Sequence, residues 1–345
     1  MPPRLIPKIA LLSFIADITG KKRLSKWERA LLGLDVKFSL NNLVWTTTTP
    51  LPAAQWRVSA LSLQEKIWVV GGYRTDGYVS DIAVFDPATD TWSTIPYPFT
   101  YFGQAFVTTA NGMLYAVGGL SGCQTLASPV EEYDPSTGAI TQKASLPTPC
   151  HDPGIASTVD GKFYVMGGCL PPSPDPGGPP STILTTVQIY NPGTNTWSTG
   201  NAMPVPRHQF SAVTAPGGSI YIIGGTDGNT ELNRVDVYNP QTNSWQTCVP
   251  MPTARRCLAS VLGADDKIYA IGGLAGDASL KTVEVFDLAN NTWTSTTPLS
   301  VGRWYHGAAV LDDKIYTCGG YMRFGPYQAG NTNVYALDSV EEGTI

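Results

Sequence analysis

Side chains that could carry acid–base or metal chemistry recur in short turns of this sequence, each of which follows a proline-containing stretch. The three histidines of the chain, His151, His208 and His306, all lie in such turns. Asp152 directly follows the first histidine, and Tyr305 directly precedes the last. Tyr305, His208 and Asp152 are therefore the candidates for general acid–base catalysis.

A metal site built from the histidines is the sharper hypothesis for these turns. Zinc and copper need three or four ligands that converge, whereas the histidines occupy different offsets within their turns. The six cysteines also show no spacing typical of metal ligands. No nucleotide-binding or esterase fingerprint is present. We therefore expect neither a metal nor another cofactor.

The turns are positioned by a repeat whose clearest mark is a pair of glycines. The pair recurs at spacings of 47, 49, 57, 48 and 47 residues, and a period near 50 indicates an array of supersecondary units. Paired glycines after an apolar strand suit a place where one backbone passes close to another. The pairs begin at Gly71, Gly118, Gly167, Gly224, Gly272 and Gly319.

Aromatic residues keep a fixed register after each glycine pair. One aromatic ends the next predicted strand, and four units carry a tryptophan seven positions later, with Ile140 in that place in the second unit. The residues between them favour a hairpin turn. The aromatics are Phe85, Tyr133, Tyr190, Tyr238, Phe286 and Tyr335, and the tryptophans are Trp92, Trp197, Trp245 and Trp293.

The pattern resembles the kelch repeat over roughly residues 41–338. The resemblance implies an all-β fold, a six-bladed propeller with four antiparallel strands in each blade. Residues 43–45 and the threonines after them look like the end of a unit, while the sixth unit, with its predicted strand at residues 333–337, lacks a distal tryptophan. We therefore expect an N-terminal strand around Trp45 to complete the sixth blade and close the ring.

Residues 1–40 precede the repeat, and we expect a short extension with one or two helices there, ahead of a propeller over residues 41–345. Ser25 and Glu28 form a capping box before an amphipathic stripe. The apolar run at residues 9–16 is too short to span a bilayer, and no cleavage site follows it. We expect a cytoplasmic protein without a transmembrane segment, with secretion as the alternative.

The kelch resemblance implies that ligands bind where the turns before the first strands and the loops after the glycine pairs meet at the central channel. Aromatic and arginine side chains concentrate on this face in the sixth, first and second units, a composition typical of binding surfaces. The alternative is that about half of these rings pack between blades. The predicted ligand-binding residues are Trp56, Arg57, Tyr73, Arg74, Tyr101, Phe102, Trp304, Tyr305, Tyr321 and Arg323.

The third unit carries a proline-rich insertion at residues 170–180, which is either a binding loop or tolerated surface variation. Cys123, Cys150 and Cys169 fall in connections of neighbouring units, so one disulfide among them is possible. Cys318 ends a core strand and is interpreted as a buried thiol.

Composition suits one turn-rich β domain, with 345 residues of which 42% are hydrophobic and 14% charged. The net charge of −5 leaves no basic stripe for nucleic acid. Two functions remain open. The first is a binding module that holds a protein, a peptide or a small anionic or aromatic molecule at the channel mouth, although residues 1–40 leave no room for the BTB and BACK domains of kelch adaptors. The alternative is an isomerase, mutarotase, cyclase or lyase that acts on a small metabolite by positioning and acid–base catalysis without a redox metal.

Overall fold

The computed structural model describes residues 43–100, 105–108, 111–119, 126, 128–170, 182–323 and 334–345. All of these residues belong to one compact unit, residues 42–345. Within the described ranges the regular elements are β-strands, and they form six four-stranded antiparallel sheets. Each sheet is one blade of a six-bladed propeller, and we number the blades 1 to 6 in chain order.

Each blade runs from an inner strand at the central channel to an outer strand at the rim. Blade 1 contains Ser59–Leu63, Lys66–Val70, Asp81–Asp86 and Thr91–Pro96, and blade 2 contains Ala105–Thr108, Leu114–Val117, Val130–Tyr133 and Ile140–Lys143. Blade 3 contains Gly154–Ser157, Phe163–Met166, Val187–Asn191 and Thr196–Thr199, and blade 4 contains Ser211–Thr214, Ile220–Ile223, Val235–Asn239 and Ser244–Thr247. Blade 5 contains Ala259–Leu262, Lys267–Ile271, Val283–Asp287 and Thr292–Ser295, and blade 6 contains Gly307–Leu311, Lys314–Cys318, Val340–Thr344 and Val44–Thr48.

The propeller is closed by the strand Val44–Thr48, which pairs with Val340–Thr344 in blade 6. This confirms the predicted closure around Trp45. The prediction that residues 333–337 supply the third strand of this blade was wrong, because Val334–Ala336 pairs with Tyr321–Arg323 outside the blade. Tyr335 is accordingly 54% exposed instead of buried.

Gly343 takes the place that an aromatic residue holds in the other blades. It lies opposite Trp45 in the register of the two closing strands. A Cβ atom at this glycine would lie 3.0 Å from the indole ring. The ring of Trp45 therefore covers the position where an aromatic side chain would otherwise stand, which explains why the aromatic pattern alone misplaced the strand.

Short two-stranded ribbons follow the glycine pairs of several blades. They rise from the sheets toward the channel mouth and carry residues that the sequence places in the binding surface. The described ribbons pair Tyr73–Arg74 with Gly77–Tyr78, Cys169–Leu170 with Thr182–Ile183, Leu274–Ala275 with Ala278–Ser279, and Tyr321–Arg323 with Val334–Ala336.

The glycine pairs allow each blade to touch the turn that leads into the next one. Gly272 and Gly273 have φ angles of 57° and 105°, in the left-handed region that other residues rarely adopt. A Cβ atom on Gly272 would stand 2.5 Å from the carbonyl oxygen of Arg303. The Gly273 amide donates a hydrogen bond of 2.8 Å to that same oxygen. The pair thus fastens blade 5 to blade 6.

The outer-strand tryptophans make a second fastening at the rim. Trp293 lies opposite Phe286, with ring centroids 5.0 Å apart, and its indole N–H donates to the carbonyl of Val249 in the linker from the preceding blade. Trp45 makes the corresponding bond to Thr297 at 2.9 Å. The closing strand therefore reproduces the contact of an ordinary blade, as do Trp92, Trp197 and Trp245.

The core consists of hydrophobic clusters between adjacent blades, each formed by the inner three strands of its two neighbours. Blades 4, 5 and 6 each contain a buried ion pair between the turn before the inner strand and the third strand. Arg255 pairs with Glu284 and Arg303 with Glu341, both at 2.8 Å, and Arg207 pairs with Asp236. These arginines have no exposed surface. They neutralise the buried carboxylates, so we assign these ion pairs a structural role and call them part of the framework of the propeller.

The predicted helical extension over residues 1–40 and most of the proline-rich insertion, residues 171–180, lie outside the described residues. The described part of the chain contains no helix that combines the length and the hydrophobicity needed to span a lipid bilayer.

Candidate functional site

We call the turns that lead into the inner strands the lead-in turns. Each contains two adjacent residues that make different contacts. The first residue forms an isolated bridge with the residue after a glycine pair, as Trp56 does with Tyr73 and Trp304 with Tyr321. The second residue has a left-handed φ angle near 55° and lines the channel. In the described turns the first residue does not line the channel. The channel-lining residues are Arg57, Asp152, Gln209, Cys257 and Tyr305.

A ring of backbone hydrogen bonds holds these left-handed residues around the axis. The Gln209 amide donates to the Asp152 carbonyl at 3.1 Å, and the Cys257 amide donates to the Gln209 carbonyl at 2.8 Å. Tyr305 donates to Cys257 at 3.0 Å, and Arg57 donates to Tyr305 at 2.8 Å. Because every amide in the series points to the preceding blade, the ring offsets the strain of five non-glycine residues in this conformation.

Four side chains from this ring meet across the channel, and we call Arg57, Asp152, Gln209 and Tyr305 the channel plug. Arg57 Nη2 lies 2.8 Å from the Tyr305 hydroxyl and 3.4 Å from Asp152 Oδ2. Gln209 Nε2 donates to Asp152 Oδ2 at 3.0 Å and also to the Tyr305 hydroxyl. The contacts of Arg57 and Tyr305 with Asp152 and of Gln209 with Tyr305 join blades that are not neighbours, so the plug spans the axis.

The plug fixes the charge state of its members. Burial opposes ionisation of Asp152, but hydrogen bonding from His151 and the charge of Arg57 outweigh it and hold the pKa of the carboxyl well below its usual range. Burial and the neighbouring Asp152 carboxylate raise the pKa of Tyr305 well above 10. The Arg57 guanidinium lies 4.4 Å from the centroid of the Tyr305 ring, in cation–π contact. At neutral pH the plug thus holds one cation, one anion and a neutral phenol.

A cavity of about 340 Å³ adjoins the plug within the channel. Its wall combines the plug residues with small residues of the inner strands, such as Ser59, Ser211 and Gly307. The volume lies at the lower end of the range for small-molecule sites.

Outside the plug, aromatic rings form a continuous surface over blades 1 and 6, and we call Trp56, Tyr73, Tyr78, Trp304 and Tyr321 the aromatic shelf. Trp56 stacks on Tyr321 with ring centroids 4.3 Å apart and planes at 26°. Tyr73 continues the series toward Tyr78 at 5.0 Å, and Trp304 lies 5.2 Å from Tyr321. Each ring is partly exposed. Trp304 also lies 4.9 Å from Tyr305, so the shelf reaches the plug.

The structure places the other predicted arginines away from the channel. Arg74 forms a bidentate pair with Asp81 at 2.6 and 3.1 Å and donates to Gln55 at 3.3 Å. Arg323 pairs with Asp277 on the neighbouring ribbon. Nearby carboxylates therefore engage both of these predicted binding residues. Predicted binding residues Tyr101 and Phe102 lie outside the described residues.

Two of the histidines meet around Cys169, beside the plug. The Cys169 sulfur lies 3.1 Å from Nε2 and 3.5 Å from Nδ1 of His151, and 3.4 Å from Nδ1 of His208. A sulfur almost equidistant from both nitrogens of one ring lies over its face and off the in-plane lone pairs that bind metals. Burial also raises the pKa of this thiol to about 12, so the thiolate is disfavoured.

Within the described part of the chain, no group of three or more His, Cys, Asp or Glu side chains is placed to hold a metal ion. Cys150, Cys169 and Cys318 are free, buried thiols, and Cys123 lies outside the described residues. The possible disulfide therefore does not join Cys150 to Cys169.

His306 lies between blades 5 and 6. The equivalent position holds Leu258 in blade 5 and Phe210 in blade 4. Its ring would touch a Cβ atom on Gly272 at 2.8 Å. Neither ring nitrogen has a hydrogen-bond partner among the described residues. Burial, with the charges of Arg303 and Arg255, lowers the pKa of His306 well below 6.5. The residue is thus a neutral wedge between blades.

Sequence reasoning missed Tyr78 as a member of the aromatic shelf. The residue lies on the return strand of a ribbon that no feature of the repeat marks, and only its pairing with Tyr73 brings it to the surface. Gln209 also became part of the site only through its contacts, since its type does not indicate catalysis or binding.

Comparison of the sequence with protein-family models agrees with the propeller fold. The KLHDC2/KLHL20/DRC7 Kelch-repeats domain matches residues 177–320, and the Kelch motif matches residues 57–98. The chain belongs to the kelch-repeat family.

Curated relatives share a moderate identity with this kelch chain. It is 26% identical to mouse Kelch-like protein 35 over 197 residues, which cover 56% of this chain and 31% of the relative. It is 28% identical to Beta-scruin of Limulus polyphemus over 202 residues, covering 56% and 21%. Kelch-like protein terF of Aspergillus terreus is 27% identical over 216 residues, covering 59% and 45%. The matches therefore span less than half the length of these relatives.

Proposed function

We propose that this kelch propeller is a binding module that holds a protein or peptide segment at its channel mouth, with the aromatic shelf as the main contact surface. One observation carries the proposal. Partly exposed rings stack in an unbroken series across two neighbouring blades, beside a channel that the plug obstructs. Aromatic side chains supply much of the energy of protein interfaces, and all five rings of the shelf are partly exposed.

The charges at the mouth favour an uncharged or cationic segment over an anionic one. Arg57, Arg74 and Arg323 each face a carboxylate, so an anionic ligand would have to compete with Asp152, Asp81 and Asp277. The aromatic part of the predicted ligand class fits the shelf, whereas the anionic part finds no free cation among these three residues.

The acid–base properties of the plug support binding better than catalysis. A catalytic acid or base works best when its pKa lies near the working pH. The pKa of Asp152 lies well below neutrality and that of Tyr305 well above it. Burial lowers the pKa of His208, which leaves it a neutral and weak base. The enzyme alternative therefore has no supporting observation at the plug.

The proposal is tested by selecting binders from a random peptide library displayed on phage and measuring the synthesised peptides by calorimetry. Tyr321→Ala should weaken their affinity at least about tenfold, because it removes a ring stacked on Trp56 at the centre of the shelf. The matched control is Thr226→Ala, since Thr226 holds the same position in blade 4 and should change affinity by less than about twofold.

Thermal unfolding of each variant separates loss of binding from loss of folding. Selected peptides that bind folded Tyr321→Ala as tightly as the wild-type protein would show that the shelf is not the contact surface.

A further inference from the structure

We propose that Asp152 and Tyr305 form a receptor for a guanidinium group of the partner, and that Arg57 occupies this receptor in the free protein. The inference rests on the proposed function, because it names the side chain that a bound segment would place in the channel mouth. Arg57 would then act as an internal substitute for an arginine of the ligand.

The Arg57–Asp152 contact is looser than the ion pair that Arg74 makes with Asp81. Only Nη2 of Arg57 approaches the carboxylate, at 3.4 Å, and it approaches Oδ2 alone. Arg74 and Asp81 show the alternative, a fork of two bonds that uses both oxygens at 2.6 and 3.1 Å. Paired bonds of that kind are the stronger and more specific arrangement. Arg57 therefore contacts the carboxylate through a single nitrogen, which favours exchange of the guanidinium at Asp152.

The solvent exposure of the Arg57 side chain also favours its exchange. The Arg57 side chain is 32% exposed, whereas that of Arg303, which occupies a buried ion pair, shows no exposed surface. The Asp152 side chain is 15% exposed and lines the 340 Å³ cavity together with Tyr305. A guanidinium that arrives from the aromatic shelf can thus reach the carboxylate once Arg57 swings outward.

The receptor has the groups that a guanidinium requires. Asp152 supplies a permanent negative charge, and the Tyr305 ring supplies a face on which Arg57 already lies at 4.4 Å. All described bonds to the Asp152 side chain from Arg57, Gln209 and Tyr305 end on Oδ2. A second guanidinium bond to Oδ1 would complete the bidentate geometry that Arg57 does not reach.

Exchange of one guanidinium for another keeps Asp152 paired throughout. Loss of Arg57 without replacement would leave a poorly solvated carboxylate without its cation, which is unfavourable. Arg57 therefore competes with the ligand. Its removal should strengthen the binding of an arginine side chain, the opposite of what a direct contact between Arg57 and an anionic ligand would give.

The test uses N-acetyl-arginine amide as the probe and N-acetyl-citrulline amide as its neutral control of nearly equal shape. Binding to the full-length protein is measured by calorimetry or by ligand-observed NMR. We expect weak binding to the wild-type protein and at least about tenfold tighter binding to Arg57→Gln, with no detectable binding to Asp152→Asn. Citrulline should bind none of the three.

The proposal is overturned if folded Arg57→Gln binds the arginine probe no more tightly than the wild-type protein, or if Asp152→Asn binds it equally well. Should Arg57→Gln fail to fold, Arg57→Met keeps most of the aliphatic stem and takes its place. Failure here together with peptides that need Tyr321 would reject the guanidinium receptor alone. Success here with peptides that ignore Tyr321 would reject the shelf instead.

Discussion

Blades 1 and 6 differ from blades 4 and 5 in the side chains of the mouth but not in its backbone. Trp56 and Tyr73 exchange two backbone hydrogen bonds of 3.1 and 2.9 Å, and His208 and Thr226 exchange two of 3.0 Å in blade 4. Arg256 and Leu274 do the same in blade 5. Since the fold accepts histidine, threonine, arginine or leucine at these places, it does not require the aromatic residues of blades 1 and 6. Their concentration on two neighbouring blades is therefore the observation on which the proposed binding role rests.

The comparison predicts that substitutions of the shared framework have equal and large effects in both regions. Arg255→Ala in blade 5 and Arg303→Ala in blade 6 should each lower the free energy of unfolding by about 3–5 kcal/mol, because each leaves a buried glutamate without its partner. Urea denaturation gives the values. The control is Arg323→Ala on the ribbon of blade 6, which should cost less than about 1 kcal/mol because its partner Asp277 is 59% exposed. A large loss in only one of the two blades would contradict the equivalence.

An intermediate effect is expected where the framework itself differs, at His306 in blade 6 and Leu258 in blade 5. The folded-state pKa of His306 lies well below the unfolded value near 6.5. Above pH 6.5 the residue is neutral in both states, and protonation of this histidine does not reduce the free energy of unfolding. As the pH falls below 6.5, the unfolded chain binds a proton that the folded chain does not. The unfolding free energy should then decrease by up to about 1.4 kcal/mol per pH unit from this residue alone.

His306→Leu, which copies blade 5, should remove that part of the slope. Urea denaturation at pH 7, 6 and 5 gives the difference between the two proteins, which cancels the contributions of His208 and other groups. Parallel stability curves for the two proteins would show that His306 is not a neutral wedge.

The smallest effect on stability is expected from exchanging the shelf for the residues of blade 4. Tyr321→Thr should lower the unfolding free energy by about 0.5–1.5 kcal/mol, the usual contribution of an aromatic pair. Thermal or urea unfolding measures it. A loss as large as that of Arg303→Ala would mean that the shelf belongs to the framework, and the distinction between the two regions would fail.

The sequence predicted those features that recur with the repeat. Glycine pairs, outer tryptophans and the missing tryptophan of the sixth unit were sufficient to predict six blades and the closing role of Trp45. They were not sufficient to place the third strand of blade 6. Tyr335 fits the aromatic spacing, whereas Gly343, which holds the true position, carries no aromatic signal because the Trp45 ring covers it.

The site was less predictable because its geometry depends on conformation and pairing. The channel-lining residues share a left-handed φ angle but no residue type, so the sequence did not show which of the two residues in each lead-in turn lines the channel. The charge of Arg74 is neutralised by Asp81, which the hairpin ribbon brings close to the arginine. Whether an arginine is already paired with a carboxylate depends on contacts in the folded structure, which the positions of arginines in the sequence do not reveal.

The closing strand also determines how this ring responds to force. Val44 pairs with Thr344, so the chain leaves both closing strands at the same end of their antiparallel pair. Tension applied through these two ends loads their hydrogen bonds one after another, as in opening a zip, instead of all together in shear. The ring should therefore have its weakest mechanical point at the seam in blade 6, even though the Trp45 contact makes that seam equivalent to an ordinary blade at rest.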